Sequence, residues 1–196
     1  MLIGITGHLG VGKNFTITNV IIPILKELDE SYLELSFADQ IKVNVMTKNN
    51  VAFEDVYVEK THETRILLQA EGTKNRSINE NIWIEYLDNW SKVHLSRGIK
   101  VILISDCRFK NEFDYIKKNN GIIIKVVSPK RNHQRLYTEA SGNLDIMKTI
   151  SSHKSECDLD DICDSLFDLI INNDPGSDIN KCTSQLKALC LDCLKH

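Results

Sequence analysis

The chain has 196 residues and a formal net charge of −3, with 24 basic and 27 acidic side chains and 42% hydrophobic residues. This length and apolar content predict one domain, over residues 1–196, with a packed core. The slight acidic excess argues against a nucleic-acid partner, because a phosphate-backbone footprint needs a basic surface. No apolar run approaches the roughly 20 residues of a membrane-spanning helix, so we expect no membrane partner.

The six cysteines favour a reducing compartment. Cys190 and Cys193 form a C-x-x-C pair, but the sequence has no second pair to complete a structural zinc site. The apolar start of the chain is too short for a signal peptide. We therefore expect reduced thiols in a cytoplasmic protein.

The first third of the chain predicts strand and helix in alternation. Residues 2–6 (LIGIT) form a short apolar run, typical of a buried strand. Apolar side chains between Lys13 and Leu28 recur at helical spacing, and residues 32–37 (YLELSF) predict a second strand. Residues 38–70 should be helical in pieces, with Gly72 ending a helix.

One long amphipathic helix is predicted next, over residues 78–98. Its inner side should carry four apolar residues, and Gly98 should close it. The four inner residues are expected to be Ile82, Tyr86, Leu87 and Trp90.

The second half of the chain predicts three more strands. Continuous apolar runs at 100–106, 121–127 and 167–174 indicate burial on both faces, which is typical of a parallel sheet covered by helices. Helices are expected over 109–121 and 178–195, whereas the polar segment 128–156 lacks a core pattern and is predicted to be a mobile lid. The alternation predicts a three-layer α/β fold with one lid.

A glycine-rich turn joins the first strand to the first helix. Gly7-x-x-x-x-Gly12-Lys13 meets the phosphate-loop pattern in its required context. Glycines allow backbone amides to surround a polyphosphate, and the helix that follows offers its amino-terminal amides to the same anion. The predicted ATP-binding residues are Gly7, Gly10, Val11, Gly12, Lys13, Asn14 and Phe15.

Asn14 stands where a phosphate loop normally places a Ser or Thr ligand for Mg²⁺. Thr16 cannot substitute, because two residues along a helix turn its side chain about 200° away. Asp106 ends a predicted strand at the sheet edge where ligands collect, although it is also a candidate helix N-cap. We expect Mg²⁺ to be held by Asn14 and Asp106, with water and phosphate oxygens completing the shell.

The remaining motifs favour a small kinase of the phosphate-loop class. No Asn/Thr-Lys-x-Asp motif for guanine is present, and the residues INND at 171–174 do not supply one. A small kinase needs arginines from separate elements and a closing lid. The chain has six arginines, Arg65, Arg76, Arg97, Arg108, Arg131 and Arg135.

Several stretches together resemble the deoxynucleoside monophosphate kinase family of phages and large DNA viruses. They cover about residues 1–175, and they are SFAD at 36–39 with Lys42, RILLQAEGTKNR at 65–76, WI at 83–84, ISDCRFKNE at 104–112 and SHKSE at 152–156. Phosphomevalonate kinases share GKNF, SDCR and SECDLD, whereas SFAD and LLQAEGT favour the nucleotide branch. Asn14 and Phe15 depart from the family's usual Asp and Thr.

The resemblance implies transfer of a phosphoryl group from ATP to a deoxynucleoside monophosphate, in the host cytoplasm if the source is viral. The acceptor region would span about residues 38–97, and a homodimer is left open. Substrate-binding residues would be Asp39, Lys42, Arg65, Gln69, Arg76 and Glu156. Catalytic residues would be Lys13, Asp106, Arg108, and Arg131 with Arg135 on one helical face of the lid.

Other interpretations of these residues stay open. Arg65 and Arg76 also suit surface ion pairs, Arg131 and Arg135 suit a solvated basic face, and Glu156 suits a helix start. His8 is interpreted as a variable loop residue and Trp83 as a core residue. Two other functions remain, another small-molecule kinase such as phosphomevalonate kinase, and a nucleotide-binding regulator without catalysis.

Overall fold

The computed structural model describes residues 1–58 and 61–194, with the backbone alone at 62 and 179–181. It consists of two units, residues 1–34 with 98–196, and residues 35–97. The second unit nearly coincides in extent with the predicted acceptor region at 38–97. That region's role, and a single domain over the whole chain, stay predictions.

The first unit is built on a five-stranded sheet in the order β2-β3-β1-β4-β5. Strand β1 pairs in parallel with β3 and β4, and β4 pairs in parallel with β5. All residues of β1 and β3 are buried, because helices cover both faces of the sheet. The predicted α/β fold with a parallel sheet is confirmed. The strands are β1 (Leu2–Thr6), β2 (Tyr32–Leu35), β3 (Val101–Ile104), β4 (Ile122–Val127) and β5 (Leu169–Asn172).

Helices flank this sheet. The first runs without interruption through α1 (Lys13–Thr16), a π-helical turn (Ile17–Ile21) and α2 (Ile22–Glu27). Its residues Ile21 and Leu25 pack with Ile5, Ile124 and Leu186 in the main core. The others are α7 (Lys110–Lys118), α8 (Pro129–Glu139), α9 (Leu144–Ser151), α10 (Lys154–Cys157), a 3₁₀ turn (Asp164–Leu166) and α11 (Ile179–Leu194).

The segment 128–156 has a small core of its own, so the prediction that it lacks a core pattern is wrong. Leu136 and Ala140 of α8 form a buried cluster with Met147 of α9, and Leu9 packs against it. Apolar positions are sparse in α8, and only its pairing with α9 brings them into a cluster. The mobility of this segment stays a prediction.

The second unit is helical. It contains α3 (Asp39–Asn49), α4 (Phe53–Tyr57), α5 (His62–Ile78) and α6 (Ile82–Ser96), and α3 packs against the other three. No helix among the described residues is long and apolar enough to cross a membrane.

Gly72 does not end a helix, in contrast to the prediction, because α5 continues to Ile78. The Gly72 carbonyl accepts a hydrogen bond from Trp83 Nε1 at 3.2 Å. A Cβ atom at position 72 would lie 3.3 Å from Cδ1 of Ile41. The glycine therefore serves close packing against α3 and α6.

The inner face of α6 also differs from the prediction. Trp83, Leu87 and Ser91 are its buried residues, which confirms the core interpretation of Trp83. Tyr86 is 39% exposed and Trp90 is 52% exposed. These two aromatic side chains line a cavity instead of filling the core.

Candidate active site

The glycine-rich loop at residues 7–13 follows β1 at the carboxyl edge of the sheet. Because β1 lies between β3 and β4, the loop sits where the strand order reverses, the usual ligand crevice of open α/β sheets. Gly12 precedes α1 with φ 93°, a conformation that disfavours other residues. A Cβ atom there would also lie 2.2 Å from Nδ2 of Asn173. Both constraints require glycine.

Lys13 is the last residue of the loop and the first residue of α1. Its Nζ donates hydrogen bonds to the carbonyls of Gly7, at 2.6 Å, and His8, at 3.0 Å. Burial, followed by the charge of Arg108, lowers the pKa of Lys13 to about 8, although the charges of Glu156 and Asp106 act in the opposite direction. A negatively charged ligand would reverse this effect by stabilising the ammonium form.

Three side chains from distant segments hold the loop in place. Asn132 Nδ2 donates to the Leu9 carbonyl at 2.7 Å, and Glu156 Oε2 accepts from the Leu9 amide at 2.8 Å. Asn173 Nδ2 donates to the Val11 carbonyl at 2.8 Å. Sequence reasoning missed Asn132 and Asn173. For Asn173 a signal existed, since a polar residue directly after a buried strand lies at the ligand edge of a parallel sheet.

Glu156 also pairs with Arg108, whose Nη1 donates to Oε1 at 2.5 Å. The Glu156 side chain is 10% exposed, and its two carboxylate oxygens bind the loop and Arg108. The structure thus brings Glu156 to the phosphate loop, whereas the resemblance implies a contact with substrate.

Asp106 comes shortly after β3. It lies close enough to Lys13 that its negative charge raises the pKa of the lysine. The next helix begins at Lys110 with Phe109 as its cap, so Asp106 is not its N-cap. Thr16 is 1% exposed and its hydroxyl donates to the Gly12 carbonyl at 3.2 Å. The Thr16 hydroxyl is thus engaged with the backbone of the first helical turn, and the expectation that Thr16 does not replace the metal ligand stays a prediction. Asn14 is exposed at the start of α1.

The two arginines of the segment 128–156 lie on α8, four residues apart. Arg135 pairs with Glu139 on the same helix. A Cβ atom at Gly10 would lie 2.4 Å from Cβ of Arg135, so α8 runs directly against the loop. Elsewhere in the loop, His8 Nε2 lies 3.2 Å from Oδ1 of Asp160.

A cavity of about 340 Å³ lies within the unit 35–97. Phe37 and Leu87 are buried, at 2% and 3% exposure, whereas Tyr57, Tyr86 and Trp90 are more than one third exposed. The cavity, called the aromatic cavity below, is therefore a slot open to solvent, and four of the ten residues that line it are aromatic. It is lined by Leu35, Ser36, Phe37, Asp39, Gln40, Val43, Tyr57, Tyr86, Leu87 and Trp90.

Asp39 organises one side of this cavity. Its carboxylate accepts hydrogen bonds from the Ser36 amide and from Lys42 Nζ, both at 2.8 Å. Lys42 Nζ also lies 4.5 Å from the ring centroid of Tyr57. Burial raises the pKa of Tyr57, and Asp39, which accepts a hydrogen bond from its hydroxyl, raises it further. The predicted residues Asp39 and Lys42 thus form one polar cluster with Tyr57.

The other predicted acceptor residues lie on α5. Arg65, Gln69 and Arg76 share one face of the helix with Gly72, at spacings of four, three and four residues. Arg65 and Arg76 are half-buried and Gln69 is exposed. None of the three is among the residues that line the cavity.

Comparison with known proteins gives one sequence relative and several structures. No family model matches the chain. A protein of Acanthamoeba polyphaga mimivirus, named "Putative deoxynucleotide monophosphate kinase", is 28% identical over 150 residues, which cover 66% of this chain and 75% of the relative.

Among solved structures, shikimate kinase from Acinetobacter baumannii superposes with a TM-score of 0.50 and 13% identity, over 97% of this chain and 93% of that one. Dephospho-CoA kinase from Campylobacter jejuni gives 0.50 and 14%, over 99% and 97%. The fold is that of small phosphate-loop kinases. At these identities the likeness shows the fold alone.

Within this kinase fold, the loop and its surroundings can bind a polyphosphate. The first amides of the helix that begins at Lys13 have no partner within that helix. Lys13 and Arg108 place two positive charges beside them, and Asp106 offers a carboxylate oxygen of the kind that Mg²⁺ prefers. The arrangement can therefore neutralise a nucleoside triphosphate with or without a bound cation.

Proposed function

We propose that the protein is a deoxynucleoside monophosphate kinase, which transfers the γ-phosphoryl group of ATP to a deoxynucleoside monophosphate and forms ADP and the diphosphate. The proposal assigns the phosphate loop to ATP and the aromatic cavity to the deoxynucleoside monophosphate. The name of the mimivirus relative supports the same substrate class.

The donor half rests on the phosphate loop. Asn132, Glu156 and Asn173 hold its backbone at three hydrogen bonds of 2.7 to 2.8 Å, so the loop is organised before a ligand arrives. Preorganised amides need no rearrangement to meet the charge of a transferring phosphoryl group. Lys13 would exchange its bonds to the Gly7 and His8 carbonyls for phosphate oxygens. ATP would bind through Gly7 to Phe15, with Lys13 on the β- and γ-phosphates.

The acceptor half rests on the aromatic cavity, which is the observation that carries the choice of a nucleotide. Its volume of about 340 Å³ lies within the usual range for small-molecule sites. Tyr57, Tyr86 and Trp90 offer ring faces, and a base that stacks on an aromatic side chain gains about 1–3 kcal/mol. A non-aromatic acceptor such as shikimate or phosphomevalonate would gain little from these walls.

The oxygen ligands that Asp106 and Asn14 can offer near the loop are of the kind that suits magnesium. Asp106 and the amide oxygen of Asn14 would bind it, and the ion would neutralise phosphate charge. Arg108, Arg131 and Arg135 are proposed to contact the transferring phosphoryl group. Arg65, Gln69 and Arg76, on one face of α5, are proposed to contact the acceptor, and Lys42 to provide positive charge beside the cavity.

The test is ADP release from Mg-ATP with the four deoxynucleoside monophosphates, dephospho-CoA, shikimate and phosphomevalonate as separate acceptors. We expect ADP release that depends on a deoxynucleoside monophosphate and is lost in Lys13→Ala, which excludes a contaminating kinase. Transfer to another acceptor alone would replace this function with a different small-molecule kinase. Tight ATP binding without transfer to any acceptor would make the protein a nucleotide-binding regulator.

A further inference from the structure

We infer that Gln40 recognises a hydrogen-bond donor on the base of the acceptor nucleotide, and that Asn44 and Glu71 fix the orientation of its amide for this purpose. The inference rests on the proposed function, because it assigns the aromatic cavity to the base. Within that function it adds a residue that determines specificity and two residues that position it.

A continuous chain of hydrogen bonds links the cavity to the carboxylate of Glu71, whose side chain is 11% exposed. Gln40, Asn44 and Lys48 follow one another at intervals of four residues and share one face of α3. Gln40 Nε2 donates to Asn44 Oδ1 at 3.0 Å, and Asn44 Nδ2 donates to Glu71 Oε1 at 2.9 Å. Lys48 Nζ and Asn75 Nδ2 donate to the same oxygen.

Glu71 is ionised, which fixes the direction of every bond in the chain. Burial would raise its pKa, but three hydrogen-bond donors outweigh that effect and the pKa is lowered; they are Lys48, Asn44 and Asn75. A carboxylate can only accept hydrogen bonds, so the NH₂ group of Asn44 must face Glu71. The carbonyl of Asn44 then faces Gln40, and the NH₂ group of Gln40 must face Asn44.

The carbonyl oxygen of Gln40 takes no part in this series of hydrogen bonds and remains able to accept one at the cavity. Gln40 lines the cavity, and Oε1 has no hydrogen-bond partner among the described residues. Asp39, Ser36 and Tyr57, which line the same cavity, form hydrogen bonds within the protein. A flip of the Gln40 amide would set two carbonyl oxygens against each other, so the structure presents an acceptor here.

A hydrogen-bond acceptor at this position selects among ligands by the groups that the edge of the ligand's ring carries. A base stacked on the aromatic walls satisfies Gln40 if it carries an N–H group on that edge. A base whose N–H groups are deleted would leave the carbonyl of Gln40 desolvated without a partner, which costs affinity. The preferred ligand is therefore a deoxynucleoside monophosphate whose base carries an amino or imino N–H donor.

The experiment measures binding by calorimetry, for the natural monophosphate that binds best and for its analogue without the donor. The pairs are dAMP and dGMP, each with the unsubstituted purine analogue, dCMP with the pyrimidin-2-one analogue, and dTMP with N3-methyl-dTMP. The proteins are the unchanged chain, Gln40→Met, Asn44→Leu and the control Gln185→Met, which makes the same change at an exposed position of α11. Thermal melting of each variant verifies the fold.

We expect the unchanged protein and Gln185→Met to bind the natural ligand about tenfold more tightly than its analogue. Gln40→Met should bind the two equally. Asn44→Leu, which leaves the cavity wall intact, should lose most of the discrimination because the amide of Gln40 can then flip. Equal discrimination in all four proteins would overturn the inference while leaving the kinase in place. Absence of binding by every monophosphate would instead overturn the proposed function.

Discussion

Asn173 donates a hydrogen bond from Nδ2 to the carbonyl oxygen of Val11 at 2.8 Å, across 162 residues of sequence. Asn173 is 2% exposed, and its own amide donates to the carbonyl of Val127 at 2.8 Å. One side chain thus fastens the phosphate loop to the end of the sheet. The same side chain occupies the space that a Cβ atom at Gly12 would need.

Asn173→Ala should loosen the loop, because the buried carbonyl of Val11 is left without a donor. We expect a loss of about 1–3 kcal/mol in the free energy of unfolding. The KM for ATP should rise more than the KM for the acceptor. Urea unfolding and initial rates measure both effects, with Asn119→Ala as a control, since Asn119 Nδ2 makes an exposed bond to the Tyr115 carbonyl. Equal effects of the two substitutions would contradict this role.

Lys13→Ala should remove activity without harming the fold. A point charge that stabilises the transferring phosphoryl group contributes a rate factor of about 10² to 10³. The lysine is buried at a lowered pKa, so its removal should leave the melting temperature unchanged or higher. Steady-state rates and thermal melting measure the two properties. Retention of most of the activity would contradict the assignment of the donor site.

ATP binding should take up a proton above pH 8. In the ligand-free protein Lys13 has a pKa of about 8 and loses its proton above that pH, whereas bound phosphates raise its pKa and restore the ammonium form. Affinity should be nearly constant below pH 8 and fall by up to about tenfold per pH unit above it. Calorimetry at pH 8.5 to 9 in two buffers of different ionisation enthalpy measures the uptake. Uptake that persists in Lys13→Ala would assign it to another group.

Substitution of the two tryptophans of α6 should have different effects, one on acceptor binding and the other on the stability of the fold. Trp90 is 52% exposed on the cavity wall, so Trp90→Ala should raise the acceptor KM about tenfold and change unfolding by about 0.5 kcal/mol or less. Trp83 is 1% exposed, so Trp83→Ala should cost about 3–5 kcal/mol of stability. Chemical unfolding and acceptor titrations distinguish them. An unchanged acceptor KM in Trp90→Ala would remove the cavity from the acceptor site.

Glu156→Gln tests whether Glu156 serves the loop or the acceptor. The substitution removes the charge that pairs with Arg108 and weakens the contact with the Leu9 amide. We expect a higher KM for ATP and a lower kcat, with the acceptor KM nearly unchanged. Initial rates with each substrate varied in turn measure this. A rise confined to the acceptor KM would return Glu156 to the role that the family resemblance implies.

The sheet and the loop could be predicted because their signals are local. Continuous apolar runs mark the buried strands, and Gly7, Gly12 and Lys13 lie within seven consecutive residues. The place of Asn173 at the ligand edge could be predicted, but its contact with Val11 and that of Asn132 with Leu9 could not, because these residues lie more than 120 positions apart. Only the closed fold brings such residues together.

The helical unit was harder to predict because its signals are ambiguous. A glycine in the sequence is compatible both with the end of a helix and with the close approach of two helices. Only the contacts of Gly72 with Ile41 and Trp83 show which of these roles it has. Similarly, apolar residues on α6 occupy more than one face. The sequence favours Tyr86 and Trp90 for the core as well as Leu87 and Trp83, but packing against α3 and α5 buries Trp83 and Leu87 and leaves the other two partly exposed.

The most direct test follows radioactive phosphate from [γ-³²P]ATP into nucleotide products, separated by thin-layer chromatography, with Mg²⁺ and each deoxynucleoside monophosphate in turn. The account predicts a labelled deoxynucleoside diphosphate with the unchanged protein and none with Lys13→Ala. Label that stays in ATP, or appears only as inorganic phosphate with every monophosphate, would contradict it.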